Sequence, residues 1–163
     1  MVFLGIDPGL KKTGWGIIIT NSNQLKYLAS GLIKNDKSSD LIALSLVEIF
    51  DGISKVISDY KPSYAAIENT YVNNNPLSSL KLAQAKAAAI TACAKHGLIP
   101  SEYQASTIKK MVSGKGNADK NDIHKMIALQ LGYISTKSHD ETDAIAIAMC
   151  NALFQKSSSS AMK

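Results

Sequence analysis

The chain opens with a short apolar run, residues 2–7, that stops at Asp7-Pro8-Gly9, the pattern of a strand followed by a turn. The β-branched stretch Gly14–Thr20 predicts a second strand, and Asn21-Ser22-Asn23 turns it into a third, from about Lys26 to Lys34. Strands so closely spaced in sequence form an antiparallel meander. Beyond polar residues 35–40, apolar positions Ile42, Leu46, Ile49, Phe50, Ile53, Val56 and Ile57 recur at intervals of three and four, which predicts a one-faced helix ending near Tyr60. Tyr64–Glu68 is a short apolar strand that ends in a carboxylate. An Asn-rich loop follows, and Asn75-Pro76 supplies an N-cap and a first-turn proline for an Ala-rich helix reaching about His96. Residues 98–103 form a fifth strand, and helices follow at about 106–113, 119–132 and 139–154. The pattern therefore predicts an α/β fold: a five-stranded mixed β-sheet flanked by helices on both faces, in a single domain spanning 1–156. Ser-rich residues 157–163 are expected to be a disordered tail.

Composition narrows the class. At 163 residues and 45% hydrophobic, the chain is long enough to bury a core without disulfides or a structural metal. Cys93 and Cys150 lack any CxxC or Cys/His spacing and read as buried reduced thiols. The apolar N-terminus has no basic flank and is interrupted by Asp7, and no segment approaches the ~20 apolar residues of a membrane span. A cytoplasmic soluble protein is expected. The net charge is +5, and all 18 cations are lysine. A basic surface is compatible with a polyanionic partner, but bidentate reading of guanine edges is chiefly an arginine task, so sequence preference would have to arise elsewhere.

The candidate chemistry lies in carboxylates at element ends. Asp7 closes the first strand, Glu68 closes the fourth, and Asp140 and Asp143 share a face at the start of the last helix. Ser138 and Glu141 fit a capping box, which assigns Glu141 to capping and leaves His139 as an exposed helix-start residue. If the first and fourth strands are neighbours, four carboxylates converge, an arrangement that invites a divalent cation. Setting these four aside leaves 18 lysines against nine acids, a cationic frame around an anionic pit that suits a phosphate backbone. Phosphodiester hydrolysis needs an ionised water and neutralisation of the leaving oxygen, which two metal ions about 4 Å apart provide.

Several motifs together carry a resemblance. Leu4-Gly5-Ile6-Asp7-Pro8-Gly9, Thr13-Gly14-Trp15-Gly16, Ala66-Ile67-Glu68 and Asp140-x-x-Asp143-Ala144-Ile145-Ala146 resemble, in order, the RuvC family of Holliday junction resolvases. Lys109, Gly114, Gly116, Ala118 and Lys120 are similar to the basic segment of that family. The resemblance covers residues 1–155 and implies a ribonuclease H-like fold, a homodimer, and Mg²⁺-dependent paired nicking of four-way junction DNA, with Mn²⁺ as a substitute. By the same resemblance the catalytic and metal-holding carboxylates are Asp7, Glu68, Asp140 and Asp143, and the supporting lysines are Lys109 and Lys120. Tyr71 falls where the family places an aromatic that stacks on a base near the junction centre, and the RuvA and RuvB branch-migration complex is the implied partner.

Further DNA contacts are expected from Asn73 and Asn74, from Lys110 and Lys115, and from Gly114 and Gly116, which permit close backbone approach to phosphate or serve as a plain turn. Lys81 and Lys86, on the Ala-rich helix, are DNA contacts or solvated surface charges. That helix, residues 76–96, is the candidate dimer interface. Two rival readings remain: a nuclease of the same fold acting on structured RNA or RNA–DNA hybrid, and a junction-binding module without catalysis. A third, the phosphate loop of actin-like sugar kinases, requires two such domains, and the chain holds one.

Overall fold

The computed structural model describes residues 1–21, 24–35, 41–69, 75–132 and 138–161, the side chains of 159–161 excepted. Strands β1 (Val2–Asp7), β2 (Lys12–Asn21), β3 (Gln24–Lys34), β4 (Tyr64–Asn69) and β5 (Ser101–Gln104) form one sheet in the order β3-β2-β1-β4-β5. The first three pair antiparallel, while β4 lies parallel to β1 and β5 parallel to β4. The parallel pairing places Asp7 and Glu68 at the same, carboxyl end of adjacent strands, as the convergence of carboxylates requires.

Helices α1 (Ile42–Tyr60) and α2 (Pro76–Lys95) cover one face of the sheet. Helices α3 (Ala105–Ser113), α4 (Lys120–Leu131) and α5 (His139–Ala161) cover the other. On the first face Ile49, Ile53, Val56 and Ile57 of α1 pack with Leu4, Ile6, Ile17 and Ile67 of the sheet. Ala85, Ala89, Ala92 and Cys93 bring α2 close to the same core. On the second face α5 runs buried from Ala144 to Cys150 across β1 and β2. Glycine permits this approach: a Cβ at Gly5 would strike the Ala144 carbonyl, and one at Gly14 the Asp140 carbonyl. Asn151, fully buried on α5, donates from Nδ2 to the Ala65 carbonyl (3.2 Å) and accepts from the Tyr103 hydroxyl (3.0 Å), tying the helix to β4 and β5.

The local signals act as expected. Asn75 Oδ1 accepts from the Leu77 and Ser78 amides (3.1 and 3.3 Å) with Pro76 in the first turn. Asp119 caps α4 by accepting from the Asp122 amide at 2.8 Å. Cys93 and Cys150 are free and buried, and burial pushes both thiols up to about 12. One boundary differs. Helix α5 continues to Ala161, through the serines expected to form a disordered tail. The Ser157 hydroxyl donates to the Leu153 carbonyl at 3.0 Å, so the serine satisfies its polarity inside the helix instead of ending it. No described helix is long and apolar enough to cross a membrane.

Candidate active site

The site begins with Asp7, the last residue of β1, paired across the ladder with Gly14. Opposite residues in an antiparallel pair share a face, so Asp7 projects toward the first turn of α5, over the position where Gly14 leaves room for the Asp140 backbone. Burial pushes the Asp7 carboxyl up from 3.8 to about 7, and Asp143, Glu68 and Asp140 raise it in that order. Lys120 opposes them. Glu68 is raised by burial and then by Asp143, and lowered by Lys109 and Lys120. Asp7 therefore lies within electrostatic reach of Asp143, Glu68, Asp140 and Lys120, and Glu68 within reach of Asp143, Lys109 and Lys120. Lys120 Nζ lies 3.6 Å from Asp143 Oδ2. Among the described residues no three His, Cys, Asp or Glu side chains stand close enough together to hold a metal ion.

What holds Asp140 and Asp143 in place is a set of polar ties that the sequence conceals. Glu141 is buried on the same turn. Its Oε2 accepts from the Ser30 hydroxyl on β3 at 2.8 Å, its Oε1 from Ser138 Oγ at 3.3 Å, and its amide donates back to Ser138 Oγ at 3.2 Å. Ser138 thus caps α5 by accepting from the Glu141 amide, while the Glu141 carboxylate holds the Ser138 hydroxyl and docks the helix start on the sheet. Beside it, buried Thr142 shares a 3.0 Å hydrogen bond with His124 of α4, and His124 meets His139 edge to face at 6.4 Å between ring centroids. Ser30 and His124 carried no sequence signal, because each gains its role from a partner distant in the chain.

The remaining candidates separate. Lys110 and Lys115 are exposed on and after α3, near the carboxylate end, and Lys81 is exposed on α2. Gly114 has φ +79 and ends α3 with its amide on the Lys110 carbonyl (2.8 Å), so it serves the turn, while Gly116 is exposed. Lys86, grouped with DNA contacts from sequence, is only 12% exposed and is held at 2.6 Å by Glu102 Oε2 and at 3.0 Å by Asn69 Oδ1. It ties α2 to the ends of β4 and β5 and is not a free surface cation. Tyr71, Asn73 and Asn74 lie outside the described residues.

The family model for crossover junction endodeoxyribonuclease RuvC matches residues 3–151, which include every carboxylate and lysine of the pit. The chain belongs to the RuvC family. Its relatives include crossover junction endodeoxyribonucleases RuvC of Rhizobium johnstonii, 43% identical over 149 residues (91% of this chain and 88% of that one), and of Sinorhizobium medicae, 42% identical over 91% and 89%. The fold is that of RuvC from T. thermophilus, solved in complex with a Holliday junction substrate, with a TM-score of 0.89 over 97% of this chain and 96% of that one at 22% identity. The yeast mitochondrial Holliday junction resolvase matches with a TM-score of 0.65 over 94% of this chain and 80% of that one at 15% identity. The ribonuclease H-like sheet expected from the motifs is therefore the RuvC fold.

Proposed function

We propose that this RuvC-family chain resolves Holliday junctions in recombination and repair by paired, symmetric nicks that leave 5′-phosphate and 3′-hydroxyl ends. The observation that carries the reading is the placement of Asp7 and Glu68 at the carboxyl ends of the adjacent parallel strands β1 and β4, with the start of α5, which bears Asp140 and Asp143, packed against Gly14 beside Asp7, so that burial and these acids push the Asp7 carboxyl up to about 7. A half-buried acid surrounded by three others is electrostatically unfavourable alone and becomes favourable with a divalent cation. The all-oxygen donor set fits Mg²⁺, with Mn²⁺ as substitute, and Asp7, Glu68, Asp140 and Asp143 would hold two ions per site. When bound, such a pair supplies an ionised water and neutralises charge on the leaving oxygen.

The protein residues supply placement and field. Asp7 and Glu68 stand on adjacent strands, so their separation is fixed by the ladder. Asp140 and Asp143 are fixed by the ties of Glu141 and Thr142 to neighbouring elements. Lys109 and Lys120 look onto Glu68 and bring positive charge to the edge where a phosphate enters. Around this centre, Tyr71, Asn73 and Asn74 are proposed to meet the junction centre, and Lys110, Lys115 and the backbone at Gly114 and Gly116 its phosphates, with Lys81 as an outer contact.

One set of carboxylates cuts one strand, and a symmetric junction needs two, so the reading includes a C2 homodimer. Its support is the apolar outer face of α1 and α2. Val47 is 54% exposed and Leu80 61%, and a groove of about 390 Å³ is lined by Leu46, Val47, Phe50, Ala87 and Ala88. The inward alanines of α2 are already used by its own core, so the proposed interface shifts from the whole of α2 to this shared face. Cooperation with RuvA and RuvB and a cytoplasmic setting complete the reading.

The test is a gel assay on a synthetic mobile four-way junction with Mg²⁺, beside linear duplex, RNA–DNA hybrid and the Asp7→Asn variant. Paired ligatable nicks in the junction alone, absent from the variant, are expected. Cutting of hybrid or RNA instead would keep the site and reject the substrate.

A further inference from the structure

Lys109, on α3, acts on Glu68 from the side of the sheet where α3 meets β5, and Lys120, which opens α4, lies 3.6 Å from Asp143 Oδ2. At the β2–β3 edge of the sheet, away from β5, lie three other lysines. Lys12 opens β2 and pairs directly with Lys34, which ends β3. Lys12 stands two residues before Gly14, and Gly14 pairs with Asp7, so strand alternation puts Lys12, Lys34 and Asp7 on one face of the sheet. By strand geometry Lys12 lies roughly 7 Å beyond the Asp7 level and about 5 Å aside, with Lys34 about 10 Å aside. These spacings are comparable to those between successive phosphates of a nucleic-acid strand.

Like charges directly opposed across a ladder repel, and among the described residues neither Lys11, Lys12 nor Lys34 forms an ion pair. All three are exposed. The backbone that carries them is nevertheless closely held. The Asn35 amide donates to the Lys11 carbonyl at 3.0 Å, and Asn35 Nδ2 donates to the Leu10 carbonyl at 2.7 Å and to the Ser45 carbonyl at 3.2 Å. Thr13 Oγ1 donates to the Gly9 carbonyl at 2.9 Å. A fixed edge that opposes two cations beside an anionic pit suits a ligand of repeating negative charge.

We propose that Lys12 and Lys34, with Lys11 beside them, form a second phosphate-binding edge, which grips the DNA backbone on the β2–β3 side of the pit, opposite Lys109. The inference rests on the reading of the site as a DNA site, and not on junction cleavage. A strand would then cross the carboxylates between two lysine flanks, which fixes its direction as well as its distance.

The test measures binding of a four-way junction and of a linear duplex in EDTA, where nothing is cut, over a series of salt concentrations. The double variant Lys12→Gln/Lys34→Gln is expected to bind more weakly and to lower the slope of log K against log salt by about 2, near 0.9 for each phosphate no longer neutralised. Lys12→Thr/Lys34→Thr, which keeps residues that favour strands, is expected to do the same, and thermal unfolding confirms that both fold. Lys26→Gln, on β3 at the opposite end of the sheet, is expected to leave the slope unchanged. An unchanged slope in the double variants overturns the proposal. A slope lowered equally by Lys26→Gln also overturns it, since the effect would then be one of overall charge. Because the slope is read on duplex as well as junction, failure of the resolvase reading would show in the cutting assay and leave this comparison intact.

Discussion

The two faces of the sheet are built from the same strands and put to opposite uses. On the α5 face, the helix is buried through its middle, and at its start Glu141 is held by Ser30 and Ser138 and Thr142 by His124. Polar groups there are enclosed, partnered and crowded with like charge. On the α1 and α2 face, a conventional aliphatic core lies beneath, while Leu44, Val47, Leu77 and Leu80 remain exposed above it. The contrast shows where stability is given up for chemistry. Carboxylates at element ends are destabilising and stand beside buried polar ties, whereas the opposite face leaves apolar side chains exposed.

The largest break in that contrast is expected from Asp7→Asn. Cleavage should fall by more than the 10–100-fold typical of losing an outer partner of a metal site, with junction binding retained. The same substitution should stabilise the metal-free protein, and the sign follows from the raised carboxyl. The unfolded chain ionises Asp7 near 3.8, whereas the folded one holds its proton until about 7, so the cost of folding grows between those values and is complete above 7. In EDTA at pH 8 the variant should therefore melt about 5 °C or more above the parent, with the gain fading to nothing below pH 3.8. Equal melting at both pH values would remove the electrostatic account of the pit.

Gly14→Ala comes next. Its Cβ meets the Asp140 carbonyl, so the start of α5 must move, at a cost of about 1–3 kcal/mol in denaturant unfolding together with a loss of cutting. Ala87→Leu, exposed on the other face, should change stability by no more than about 0.5 kcal/mol. Glu141→Ala is expected to cost about 1–3 kcal/mol by stripping Ser30 and Ser138 of their acceptor, and to lower kcat while KM stays near its parent value. The smallest effect on folding, within about 0.5 kcal/mol, is expected from Val47→Asp. Sedimentation should nevertheless show it shifted toward monomer, and an unchanged oligomeric state would move the interface away from this groove.

Much of the molecule could be read along the chain, because its signals are local. Periodicity in α1, the Asn75-Pro76 start of α2, the capping box of α5 and the carboxylates at the ends of β1 and β4 each depend on neighbours a few residues away. Where local composition misled, a local cue was outweighed: the serines after Gln155 suggested disorder but continue α5. Lys86 looked like one more surface cation until the fold turned it inward onto Asn69 and Glu102. Sequence by itself thus determined the elements and the family and nominated the four acids, since these rest on residue type and short spacing. Tertiary structure alone decided the partners: that Ser30 holds Glu141 across 111 positions, that Lys12 opposes Lys34, and that burial carries Asp7 to about 7. Those relations arise only when the sheet brings distant segments together and excludes the water that would otherwise screen them.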